Sequence, residues 1–99
     1  MSYRTRITFT RPSTSVDWYE RSADFNSYIQ SQYIDSGKLL NKTVTVSADG
    51  LTATIIREWD SEESLDDFLA DSTYNTDFKQ PSDLYNAENN IIRTSEHDV

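Results

Sequence analysis

The 99-residue sequence contains no cysteine and a single histidine, His97. Without cysteine there is no disulfide framework, no thiolate nucleophile and no cysteine-based zinc site, and one histidine leaves metal and triad chemistry almost without material. No catalytic set, metal site or cofactor is therefore expected. Glycine and proline are scarce, two of each (Gly37 and Gly50, Pro12 and Pro81), and there is no low-complexity tract or interdomain linker. Long apolar runs are missing too. Nothing approaches the roughly 18 residues needed to span a bilayer, and "MSYRTRITF" lacks the apolar core of a signal peptide. The cytoplasm is the expected location, a host cytoplasm if the gene is viral, and a membrane is not an expected partner. Positive charge is short: 9 Lys and Arg stand against 17 Asp and Glu, a net charge of -8. Nucleic-acid affinity comes largely from cations neutralising phosphates, so nucleic acid is not an expected partner either.

Aromatic residues, in contrast, are plentiful, with 2 Trp, 6 Tyr and 4 Phe. That content predicts a folded chain, and its length predicts one domain over residues 1–99 with a polar tail from about residue 96. His97 falls in this tail and is expected to be disordered and idle. "YRTRITFTRP" alternates Tyr3, Thr5, Ile7 and Phe9 with Arg4, Arg6, Thr8 and Thr10, the period of a half-buried strand. After the turn "PSTS", residues Trp18, Ser22, Phe25, Ile29 and Tyr33 repeat on one helical face, and Gly37 suits the helix end. Two further alternating runs flank Asp49-Gly50, a hairpin signal. A second helix is expected from Ser61 to about Asp71, with Asp60 and Glu63 as a capping box and Leu65, Phe68 and Leu69 as its buried stripe. The stretch 72–90 is less regular, with Pro81 able to open a short helical turn, and "IIRTSE" reads as a last strand. The order βαββαβ predicts an α+β, ferredoxin-like domain: a four-stranded antiparallel sheet with two main helices on one face.

If Asp49-Gly50 is a two-residue turn, Val46 faces Ala53, Val44 faces Ile55, Lys42 faces Arg57 and Leu40 faces Trp59. This apolar face must meet the helices, and the threonine-rich one must face away. Lys42 opposite Arg57 breaks the pattern, because like charges across a strand pair repel unless an anion compensates. One resolution is that a bulge re-aims a side chain and helix acids such as Asp24 or Asp35 supply partners. The other is an anion or carboxylate pocket walled by Trp59.

At "REWDSEESLDDFLAD", a strand ending in Trp, an x-Ser-x-Glu helix start and an aromatic-Leu pair, the chain resembles the antibiotic-biosynthesis-monooxygenase-like proteins of the dimeric α+β barrel superfamily. The order of elements agrees from about Arg4 to Glu96. The resemblance implies a ferredoxin-like monomer that pairs its sheet with a second copy, and a cavity between sheet and helices. Haem-degrading members carry an Asn on the first strand, a Trp in the second helix and a His farther on. The corresponding positions here hold about Thr5, Phe68 and Phe78, while Trp59 falls at the structural tryptophan of the corner. The resemblance thus implies the architecture without haem chemistry. The sheet face that would line the dimer's barrel carries Arg6, Thr8, Thr10, Thr45, Thr52 and Thr54, a polar lining.

The expected function is a small non-catalytic binding or accessory protein, with Lys42, Arg57, Trp59, Phe68 and Tyr28 as candidate ligand-binding residues and a second copy of the chain as partner. One alternative is a cofactor-independent monooxygenase-like enzyme acting on a small aromatic substrate. Another is an acidic module for a basic protein partner, using Glu62, Glu63, Asp66, Asp67 and Asp71, which otherwise read as a solvated helix face. A core filled by Phe25, Phe68 and Phe78 would leave no room for a ligand; an open cavity with Arg57 or a tyrosine hydroxyl in it would favour one.

Overall fold

The computed structural model describes residues 3–98. Strands β1 (Tyr3–Thr10), β2 (Leu39–Val46), β3 (Thr52–Trp59) and β4 (Ile92–His97) form one antiparallel sheet in the order β2-β3-β1-β4. The helices are α1 (Ala23–Ile29), α2 (Glu62–Leu69) and α3 (Gln80–Glu88). This is the βαββαβ ferredoxin-like arrangement, with a third helix inserted before β4. The stretch 72–90 is more ordered than its sequence pattern suggests. A π-helical segment, Tyr74–Lys79, runs directly into α3, and Pro81 sits at the first positions of that helix, where a missing N–H does no harm.

The first helix begins later than the apolar spacing implies. Ser22 is its N-cap, accepting from the Phe25 amide at 3.1 Å, so Trp18 lies in the preceding loop. Arg11 holds that loop out of the helix. Its Nε donates to the Gly50 carbonyl at 2.7 Å, its Nη1 donates to the Val16 carbonyl at 2.8 Å, and its guanidinium stacks on Trp18 at 4.5 Å. Past Ile29 the helix widens into the π-helical segment Gln30–Ile34 and stops at Gly37, whose φ of +81° only glycine adopts without strain. The second helix is capped by Ser61 rather than Asp60. Ser61 Oγ accepts from the Ser64 amide at 3.2 Å, leaving Asp60 to accept from the Ser61 and Ser64 hydroxyls.

Val46 pairs with Ala53, Val44 with Ile55 and Lys42 with Arg57, as the hairpin pattern requires. The turn is wider than two residues, because the Ser47 amide bonds the Thr52 carbonyl at 2.9 Å and Ala48–Leu51 form the loop. Asp49 Oδ1 accepts from Ser47 Oγ and the Leu51 amide, and that local satisfaction stabilises the longer loop. At the far end, Leu39 rather than Leu40 faces Trp59. A bulge between Leu39 and Asn41 adds a residue, burying Leu39 (4% exposed) and turning Leu40 out (54%).

Side chains alternate across the sheet. Thr5, Ile7, Arg57 and Trp59 face the helices. Arg4 pairs with Glu58 at 3.7 Å and Arg6 with Glu96 at 3.3 Å on the opposite, threonine-rich face. The core is a chain of rings. Tyr33 meets Phe68 at 5.0 Å and Trp59 at 6.1 Å, Trp59 meets Phe68 at 5.1 Å, and Phe25 meets Phe78 at 5.2 Å. Leu39, Leu65 and Tyr74 complete it. His97 is not in a tail: it closes β4, opposite Thr5 on β1, because the strand pairing runs one residue past the expected end.

The bulge makes opposite demands on two neighbouring leucines. Leu39→Ala should lower the free energy of unfolding by about 2–5 kcal/mol, the range for a buried leucine, whereas Leu40→Ala should cost under about 1 kcal/mol. Urea titration of both variants checks the register, and a regular ladder would reverse the order.

Candidate functional site

Two residues before the buried Trp59, Arg57 points to the same face of β3 and is itself only 4% exposed. Its guanidinium lies 5.8 Å from the Phe68 ring centre. No carboxylate lies within 4.0 Å of it among the described residues. Burial pulls its pKa down to about 10; Tyr74 opposes the fall, and Arg21 and Arg93 add to it, so the group stays a cation at neutral pH.

Arg57 is one of four such cations. Ion pairs occupy Arg4, Arg6, Lys38 and Lys79, and Arg11 is bound to backbone carbonyls. Arg21, Lys42, Arg57 and Arg93 have no acid within 4.0 Å among the described residues, and all four line clefts on the helix side of the sheet. Arg21 stacks on Phe25 at 4.5 Å, and its Nη1 is buried with no hydrogen-bond partner among the described residues. The Lys42 ammonium is pushed below its usual pKa by desolvation, then by Arg57 and Arg21. Asp24 and Asp35, the partners expected from the helix, form no ion pair with this group; Asp35 accepts instead from Gln30 Nε2 at 2.7 Å.

The interior is open beside these cations. A cleft of about 390 Å³ runs between α1 with its π-helical extension and the β2–β3 edge; Phe25, Ile29, Ile34, Leu39, Leu40, Lys42, Arg57 and Phe68 line it. A second, of about 250 Å³, lies on the other side of Arg57 and Phe68, reaching Trp59, Arg93 and His97. A third, of about 190 Å³, shares Lys42 with the first and is walled by Trp18, Tyr19, Arg21, Val44 and Val46. Phe25, Phe68 and Phe78 do pack into the core, yet they leave this space free along the bulged strand.

Among the expected site residues, Lys42, Arg57 and Phe68 come together in the 390 Å³ cleft, and Trp59 joins Arg57 and Phe68 in the second. Tyr28 is elsewhere. Its hydroxyl and that of Tyr33, the latter at 2.5 Å, both donate to Asp71 Oδ2, while Asp71 Oδ1 accepts from the Tyr74 amide at 3.1 Å. Tyr28 is thus part of a clamp joining α1 to the segment after α2. Arg21, Arg93 and His97 were not singled out as cleft residues by sequence; the alternation of β4 opposite Thr5 and Phe9 is the signal that aims Arg93 and His97 inward. The acids of α2 are exposed, and Asp67 pairs with Lys38 at 3.3 Å.

No protein-family model and no curated protein matches the chain. Solved structures do. A dimeric ferredoxin-like protein from an uncultured marine organism superposes with a TM-score of 0.62 at 10% identity, over 97% of this chain and 92% of that one. A second such protein, also from an uncultured marine organism, gives 0.61 at 10% identity over 98% and 92%. A monooxygenase of Streptomyces coelicolor, in complex with Nanaomycin D, gives 0.55 at 10% identity over 95% and 84%. The chain has their fold. It is the ferredoxin-like fold that the Trp59 corner implies, and within it the chain keeps an open sheet–helix space lined by cations.

Replacing the unpaired buried cation by an apolar side chain of similar length, Arg57→Met, should raise stability by about 1–4 kcal/mol in urea titration; a loss would mean that the guanidinium is internally compensated. Burial would raise the Asp71 pKa, but the Tyr28 and Tyr33 hydroxyls and the Tyr74 and Thr73 amides outweigh it and hold it below the usual value of 3.8. A depressed carboxyl contributes stability above its unfolded pKa that is lost as pH falls through the folded one. Asp71→Ala should therefore be less stable by about 1.5–3 kcal/mol at neutral pH, and the difference from wild type should shrink as acid protonates Asp71 below pH 3.8.

Proposed function

We propose that this chain is a non-catalytic binding protein that holds a small molecule in the cleft between α1 and the β2–β3 edge, and that it works as a homodimer. The carrying observation is the open cleft of about 390 Å³ with the unpaired Arg57 in its wall, a volume within the range of about 300–1,000 Å³ usual for small-molecule sites. Lys42, Arg57 and Phe68 would contact the ligand directly, with Trp59 behind Phe68. A non-catalytic role fits the positions that carry haem chemistry in the resembling family, which hold Thr5, Phe68 and Phe78; the Thr5 hydroxyl is already used as acceptor for Trp59 Nε1 at 3.4 Å. Dimerisation is supported by fold neighbours described as dimeric.

The fold neighbour in complex with Nanaomycin D favours a second reading, in which the same cleft oxygenates a small aromatic substrate without a cofactor. Oxygen uptake with a polycyclic phenol separates the two: the binding reading expects none above the buffer rate.

Binding is tested with the neutral fluorophore N-phenyl-1-naphthylamine. Saturable enhancement with one site per chain is expected, together with its loss in Asn26→Trp, which fills the cleft from the exposed side of α1. Unsaturable or absent enhancement would remove the cleft reading. Light scattering should give twice the chain mass at micromolar concentration, and a monomer mass would remove the dimer.

A further inference from the structure

In a molecule of net charge -8, the cleft walls hold a local excess of positive charge. Arg21, Lys42, Arg57 and Arg93 have no carboxylate within 4.0 Å among the described residues, while most other cations on this chain are paired. Placing charges this way works against folding. The buried Arg57 loses its hydration and the half-buried Arg21 and Arg93 lose part of theirs, and the cations repel one another: Lys42, exposed at the cleft wall, is depressed first by desolvation and then by Arg57 and Arg21. Stacking of Arg21 on Phe25 and of Arg57 near Phe68 offsets a part of that cost. Among the described residues no acid comes within 4.0 Å to offset the rest, although the chain has seventeen. The cross-strand pair Lys42–Arg57 is fixed by the hairpin register, so the two cannot drift apart without breaking the ladder. What such a pair lacks is an anion, and Arg57 is inside the clefts where one would enter.

The shape of the same cleft limits the anion. Beyond Lys42 and Arg57, its wall is Ile29, Ile34, Leu39 and Leu40, with the Phe25 and Phe68 rings. A free inorganic ion would leave these surfaces unused. A planar guanidinium binds a carboxylate through two parallel N–H···O bonds, with an ammonium beside it as a second point charge. We infer that the ligand of this cleft is an aromatic or aliphatic carboxylic acid, its carboxylate between Arg57 and Lys42 and its apolar body along Ile29, Ile34 and Leu39. The inference rests on the cleft being a ligand site and names the chemical class that it selects.

The test is a matched pair of ligands differing only in charge, 1-naphthylacetate and 1-naphthylacetamide, each displacing N-phenyl-1-naphthylamine from the full-length protein. The acid should displace the probe at a concentration at least tenfold lower than the amide. In Arg57→Met, titrated directly with each naphthyl compound, that preference should fall to within about twofold, and Lys42→Met should lose part of it. Arg57→Lys, which keeps the charge without the fork, should fall between Met and wild type. Equal displacement by acid and amide in the wild type, with the probe bound, overturns the acid class and leaves the cleft reading standing. An acid preference that survives in Arg57→Met overturns the assignment of the carboxylate to Arg57. Failure of the neutral probe to bind the wild type removes the cleft reading, and the acid class with it.

Discussion

The contact on which the remaining structure depends is the burial of the Trp59 indole at the end of β3. It is 1% exposed, donates to the Thr5 hydroxyl across the sheet, and meets Phe68 and Tyr33 from the helical side. Because Trp59 is the last residue of β3 and Ser61 caps α2 two residues later, this one side chain sets where the strand ends and how the helix returns over the sheet. An indole removes a large apolar area from water, and its N–H must find an acceptor when buried. Thr5 supplies that acceptor, which ties β1 to the same corner. A small domain cannot bury many such groups, so losing one would be felt throughout.

From that corner the alternation of β3 carries a consequence two residues back. A side chain on the same face as Trp59 must also enter the interior, and here it is Arg57. The strand therefore builds its best apolar anchor and its most costly cation with the same geometry. On the other side of the rings, Asp71 spends its charge on two tyrosine hydroxyls and a backbone amide and is unavailable as a counterion. The buried base and the half-buried acid lie on opposite sides of the Phe68 and Tyr33 rings.

Much of this was legible in the sequence. Alternation in β1, β2 and β3, the Asp49-Gly50 loop and the Trp59-Asp60-Ser61 corner were enough for the sheet, the pairing of Lys42 with Arg57 and the polar outer face, because these depend on a period of two and on local turn chemistry. Leu39 and Leu40 were exchanged, since a bulge adds one residue and both leucines satisfy an apolar pattern equally well. Trp18 fits the helical spacing, but Arg11 stacks on it and bonds the nearby Val16 carbonyl while anchoring that loop to Gly50 on the distant hairpin, a tie no local pattern shows. Arg21 and Arg93 carry no local signal of their place at the clefts. Each is ordinary in its own segment, and only the closed sheet with α1 over it brings them beside Arg57.

The bulge at Leu40 separates two properties that usually conflict in a small domain. Leu39 contributes to the core, while Leu40 stands at the mouth of the cleft, more than half exposed. A side chain at the rim of the cleft is thus not one that the fold relies on. Its size and polarity can change with little loss of stability, so the rim of the cleft can be reshaped from this single edge position while the aromatic interior stays constant.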